Sequence, residues 1–147
     1  MPRSDTIATL NRLIRSARDV EDLCAACSEA VRGCELRTQL STRSNDWGRQ
    51  ADELQALVLL LGGEPVVGAS WHASLTRLWL AVKAALLGPD DLLVLDTCLH
   101  AQLCALERFE DALEGYLPER IRRTVSLHAA RITDRVEAIE ALRGVHA

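Results

Sequence analysis

The chain has 147 residues, 48% of them hydrophobic, and a formal net charge of −4. The hydrophobic content excludes disorder, and a chain of this length can bury roughly 70% of its unfolded surface, which removes any need for a disulfide or metal staple. Aromatics are only 3% and Leu and Ala are abundant, which favours helices, since strands prefer branched and aromatic side chains.

Proline and glycine divide the chain. Gly62-Gly63 with Pro65, Gly88 with Pro89, and Gly115 with Pro118 are the main boundaries, because proline cannot continue a helix and glycine favours its C-terminal end. Gly33-Cys34 is a weaker one. Helix 1 is predicted from about residue 5 to 32, with Ser4 or Asp5 as N-cap and Ile7, Leu10, Ile14, Ala17, Cys24 and Val31 at three-four spacing. Helix 2 is predicted over 35–61, with Leu36, Leu40, Trp47, Leu54, Leu57 and Leu61 as its stripe. A crossover helix follows over 70–87, presenting Trp71, Leu75, Leu78, Val82 and Leu86. Helix 3 runs over 91–114, opened by Asp90 and Asp91 where the helix dipole favours negative charge; its stripe is Leu92, Leu95, Leu99, Leu106, Phe109 and Leu113. Helix 4 runs over 119–143, with Ile121, Val125, Ile132, Val136 and Ile139.

Four helices of roughly 36–42 Å, two short connections and one long one describe a single four-helix-bundle domain over 1–147. The short 1–2 and 3–4 connections make antiparallel hairpins, and the one long connection lies between helices 2 and 3.

Each stripe carries one polar interruption near mid-helix: Glu21, Gln50, Gln102 and His128. If the helices align, these four share a layer. A buried polar layer is costly unless its members satisfy one another, so the alternatives are a metal or ligand site, a hydrogen-bonded cluster that fixes register, or residues turned to the bundle edge. A di-iron carboxylate site takes a Glu from two helices and a Glu-x-x-His pair from the other two. The sequence has no Glu-x-x-His, which argues against iron chemistry.

Cys24 and Cys27 form a C-x-x-C within helix 1, and Cys98 precedes Gln102 by one turn. With Glu21 and His128 they form a candidate soft site for Zn²⁺ or Cu⁺; the alternative is that buried cysteine acts as a small hydrophobe. Cys34 and Cys104 fall off the stripes. His72 caps the crossover, His100 flanks helix 3 and His146 lies in the tail. No Ser-His-Asp or Cys-His arrangement stands out, so no catalytic residue is assigned.

Several segments carry a resemblance: Leu10-Asn11-Arg12-Leu13-Ile14, Ala51-Asp52-Glu53-Leu54-Gln55, Leu61-Gly62-Gly63-Glu64-Pro65, then Trp79, Lys83-Ala84-Ala85-Leu86-Leu87-Gly88 and Asp90-Asp91. In that order and spacing the chain resembles a bacterial family of ferritin-like four-helix-bundle proteins of unknown function. The resemblance implies a ferritin-like fold with a helical crossover. Glu21 and Glu53 match the family's acidic pattern. The family's acidic residues at the positions of Gln102 and Leu103 are missing, and Thr133 stands where a His precedes Asp134. These departures imply a degenerate metal site.

Interleaved Arg, Asp and Glu over 119–135 read as a solvated helix face, not a nucleic-acid surface. The apolar runs 57–63 and 78–82 are too short to span a bilayer. The first six residues lack the apolar core of a signal peptide, and five cysteines without an export signal read as reduced thiols, so a cytoplasmic location is expected. The apolar run at the end of helix 2 needs a cover, which the crossover helix or a second subunit would supply; helix 2 and the crossover together present more Leu and Trp than one bundle covers, which predicts a homodimer. The sequence reading is therefore a non-catalytic, oligomeric structural or interaction protein, with Zn or Cu binding as the alternative.

Overall fold

The computed structural model describes residues 2–67 and 90–146. They form four long helices: α1 (Pro2–Ala30), α2 (Cys34–Leu60), α3 (Asp91–Glu114) and α4 (Glu119–His146). No strand occurs among the described residues. The predicted crossover helix over 70–87, with Trp71, His72 and Trp79, lies outside them.

The helix ends follow local chemistry. Pro2 opens α1 in the first turn, where its missing N–H costs nothing. α2 closes as Gly62 takes a left-handed φ of 78°, a conformation glycine reaches without a Cβ penalty. The Gly62 and Gly63 amides then donate to the Leu59 and Val58 carbonyls. Asp90 caps α3, its carboxylate accepting from the Leu92 and Leu93 amides. At the other end of α3, Arg122 donates to the carbonyls of Leu113 and Gly115, satisfying helix-end groups that have no partner within the helix. α1 stops at Ala30, two residues short of the sequence expectation, and α4 continues to His146.

Side-chain contacts fix the packing order. α1 pairs with α2 through Arg18–Asp52 at 2.7 Å and Ser44 Oγ to the Glu21 carbonyl at 2.8 Å. α1 pairs with α3 through Arg108–Ser16 at 3.0 Å and the Arg32 amide to Asp91 at 3.1 Å. α3 meets α4 through Asp96–Arg143, and α2 meets α4 through Glu53–Arg131 at 3.2 Å. With Arg122 against Leu113 on α3–α4 and Arg135 over Trp47 on α2–α4 as second contacts, the residue numbers in each pair rise on one helix as they fall on the other, so all four neighbouring pairs are antiparallel. α2 and α3 are diagonal and parallel, so the end of α2 and the start of α3 lie at opposite ends of the bundle.

One apolar core runs through the bundle, built on Leu10, Ile14, Leu40, Trp47, Leu54, Leu95, Phe109, Ile132 and Ile139. On α3 the buried face differs from the predicted stripe. Val94, Leu95, Cys98, Gln102, Ala105 and Phe109 are buried, whereas Leu92, Leu99, Leu106 and Leu113 are half-buried along its flank. Leu92, Leu99, Leu106 and Leu113 mark the edge of the interface, and the small side chains of Val94, Cys98 and Ala105 share its centre with Leu95, Gln102 and Phe109. At the end of α2, Val58 is buried while Leu59 and Leu60 are 63% and 78% exposed.

Candidate functional site

Two polar groups occupy the interior of the bundle. The first lies where α1, α2 and α3 converge. Trp47 donates its indole N–H to the Gln102 Oε1 at 3.2 Å. The Gln102 amide nitrogen faces the Cys98 carbonyl and Cys98 Sγ, each at 3.5 Å. Cys98 Sγ in turn touches Cys24 Sγ at 3.4 Å, and Cys27 Sγ faces the Val94 carbonyl at 3.8 Å. Trp47, Gln102, Cys24, Cys27 and Cys98 are all shut off from solvent. The Arg135 guanidinium covers the Trp47 ring at 5.0 Å, an attraction between the cation and the negative ring face.

The second group lies about two turns along α2 from the first. His128 is buried on α4, and its Nε2 is 3.3 Å from Glu53 Oε2, which also meets Arg131. Burial pulls the His128 pKa down to about 4, against the opposing pull of the Glu53 carboxylate. The imidazole is therefore neutral at pH 7. It donates from Nε2 to Glu53, which leaves Nδ1 as a lone-pair acceptor. Nδ1 has no hydrogen-bond partner among the described residues. The Phe109 ring lies across from His128, with ring centroids 6.4 Å apart and planes tilted by 52°.

The predicted layer takes a different form in three dimensions. Gln50, Gln102 and His128 are buried, yet no hydrogen bond joins any two of them. Gln50 has no partner for either amide atom among the described residues. Glu21 is not in the interior. Its side chain is 34% exposed and pairs with Arg18 at 3.0 Å on the α1–α2 seam. The reason is local: Gly48 on α2 leaves a gap that the Glu21 carboxylate fills, and a Cβ at that glycine would overlap it. The carboxylate that meets His128 is that of Glu53, not Glu21.

The predicted soft metal set is divided in the same way. Cys24, Cys27 and Cys98 come together, but His128 belongs to the other group and Glu21 to the seam. Among the described residues no three His, Cys, Asp or Glu side chains are placed to hold a metal ion. Outside the core, Cys104 Sγ lies 3.6 Å from His100 Nε2 on the outer face of α3, and Cys34 is exposed.

Glu53 is the residue that sequence periodicity missed. It sits beside Leu54 at the edge of the α2 stripe and entered only through the family resemblance. The i, i+3 spacing of His128 and Arg131 on α4 was the available signal, since it presents two nitrogen groups to one carboxylate. Periodicity also gave no hint of an open groove of about 700 Å³ along the α1–α3 seam, lined by Arg12, Ser16, Asp19, Arg108, Asp111 and Tyr116.

Comparison with known proteins gives two results. A family described as a domain of unknown function, DUF2383, matches residues 5–115. Among solved structures the chain is similar to the crystal structure of the DPS protein from Vibrio cholerae O1, described as a member of a broad superfamily of ferritin-like diiron-carboxylate proteins. That similarity has a TM-score of 0.58 at 15% sequence identity and covers 96% of this chain and 90% of the other. No curated protein matches the chain. The bundle is thus ferritin-like in fold.

The fold class brings a di-iron carboxylate centre with it as a possibility, and the interior can be tested for fit. Such a centre needs carboxylates from all four helices and two histidines. The buried polar side chains among the described residues are Thr6, Ser16, Ser28, Ser44, Gln50, Gln102 and His128. None is a carboxylate. The described residues do not fit a di-iron centre.

Proposed function

The chain belongs to the DUF2383 family, and from that premise we propose that it is a non-catalytic ferritin-like bundle, acting as a homo-oligomeric structural or interaction protein. One observation carries the reading. At the bundle centre, where this fold class builds metal sites, Trp47 is bound to the neutral amide of Gln102. A neutral amide held by an indole supplies no charge to a metal and no proton to a reaction. The neighbouring imidazole is neutral and fixed to Glu53, with Phe109 across from it.

The oligomeric part of the reading draws support from the α2 terminus. Leu59, Leu60 and the following Val67 are 63%, 78% and 90% exposed. A contiguous exposed apolar patch marks a partner site, and the neighbouring Leu59 and Leu60 are where one would start. Light scattering at micromolar concentration tests this. The expected result is a homodimer for the wild type and a shift toward monomer for Leu60→Asp. A wild-type monomer at that concentration would overturn the oligomeric reading.

A further inference from the structure

Three thiols meet where the end of α1 passes the start of α3. Cys24 and Cys27 are one turn apart on α1, and Cys98 faces them from α3. All are fully buried. They are not placed as metal ligands, and the proposed function makes no use of them. Buried cysteines are commonly just small hydrophobes, but these have more specific surroundings. The Cys24 and Cys98 sulfurs are already in contact at 3.4 Å, on neighbouring antiparallel helices. To form a bond of about 2.05 Å the two sulfurs must close from that contact.

We propose that Cys24 and Cys98 are a redox modification site, forming a disulfide between α1 and α3 on reaction with hydrogen peroxide. Cys98 is the nucleophile and Cys24 the resolving thiol. The assignment of roles follows from the hydrogen bonds. Cys98 Sγ lies against the Cys24 and Cys27 thiols and accepts from the Gln102 amide at 3.5 Å, and these contacts hold its pKa below that of an ordinary thiol despite burial. Arg43 adds to the same effect. The Cys24 thiol, in contact with Cys98 and desolvated, is held well above an ordinary thiol and keeps its proton. The thiolate is the reactive form of cysteine.

The reaction balances in two steps. The Cys98 thiolate attacks one peroxide oxygen, the O–O bond breaks, and hydroxide leaves with Cys98 as a sulfenic acid. Cys24 then loses its proton, its sulfur attacks Cys98 Sγ, and the sulfenic oxygen departs as water. Overall, two thiols and one hydrogen peroxide give one disulfide and two waters.

Peroxide is little larger than water, and Cys27 lies in the last turn of α1, which stops at Ala30. Opening of that helix end gives access, so the reaction is slower than at exposed Cys34. The link closes the chain between positions 24 and 98, and a long closed loop restricts the unfolded state. The oxidised protein therefore melts at a higher temperature than the reduced one.

The test treats the folded wild-type protein and a Cys34→Ser/Cys104→Ser variant with hydrogen peroxide. Free thiols are then alkylated under denaturing conditions and the chain is digested with trypsin without reduction. The expected product joins the peptide 19–32 to the peptide 84–108, with a mass loss of two hydrogens. Fragmentation places the link at Cys24 rather than Cys27, and a dithiol reverses it. The melting temperature rises with the fraction linked. Full alkylation of Cys24 and Cys98 in both proteins would overturn the proposal. So would a link through Cys27, or a sulfinic acid at Cys98 with no link.

Discussion

The Trp47–Gln102 group and the Glu53–His128 group lie about two turns apart on α2, yet different forces hold them. Around Trp47 every partner is neutral except the covering Arg135, and burial is complete. Around His128 the ring is buried but its partner carboxylate is 53% exposed. The first group depends on packing and on one satisfied indole. The second depends on keeping an imidazole neutral beside a carboxylate that water still reaches. Substitution should therefore expose the first and pH the second.

Trp47→Ala is expected to have the largest effect. It empties a fully buried indole site, strips Gln102 of its donor and removes the ring beneath Arg135, for a loss of about 3–5 kcal/mol. Denaturant melts of the variant measure it. A loss below about 1 kcal/mol would mean that the packed centre is not where stability resides.

Titration of His128 should come next. Its folded pKa of about 4 lies below the ordinary value of 6.5, so the unfolded chain takes up the proton first. The stabilising contribution is present above pH 6.5 and is lost as pH falls toward 4. The lowered pKa corresponds to roughly 3 kcal/mol across that window, at about 1.4 kcal/mol per pH unit. His128→Leu should flatten this part of the stability–pH curve. Parallel curves for wild type and variant between pH 6.5 and 4 would show that the imidazole is not held neutral.

Glu21→Ala should have the smallest effect. A seam carboxylate paired with Arg18 contributes about 0–1 kcal/mol, and the vacated gap beside Gly48 opens to solvent. A loss comparable to that of Trp47→Ala would return Glu21 to the interior.

The contrast between Glu21 and Glu53 also shows how far the sequence could be read. Helix boundaries were legible because Gly62, Pro118 and Asp90 each carry a local mechanism. The burial of Gln50, Gln102 and His128 was legible because three-four spacing sets the helix phase. Phase fixes where a Cα faces but not where a long side chain ends. Glu21 occupies an inward position on the helix, yet its carboxylate swings to Arg18 because Gly48 leaves it room. Glu53 starts from a flanking position and reaches inward to His128. The thiol contact is half legible: Cys24 follows Glu21 by three residues and Cys98 precedes Gln102 by four, so antiparallel helices put both on one side of the layer, but the separation of His128 from them depends on register between helices, which no single helix encodes.

That the interior is complete without a metal is tested most directly by the melting temperature of the wild-type protein as purified, after chelator treatment, and after addition of ferrous iron or zinc. Binding to the native state would raise the melting temperature with ion concentration, and chelation would lower it. The closed Trp47–Gln102 centre predicts the same melting temperature in all conditions. A substantial fall with chelator, recovered by one ion, would contradict it.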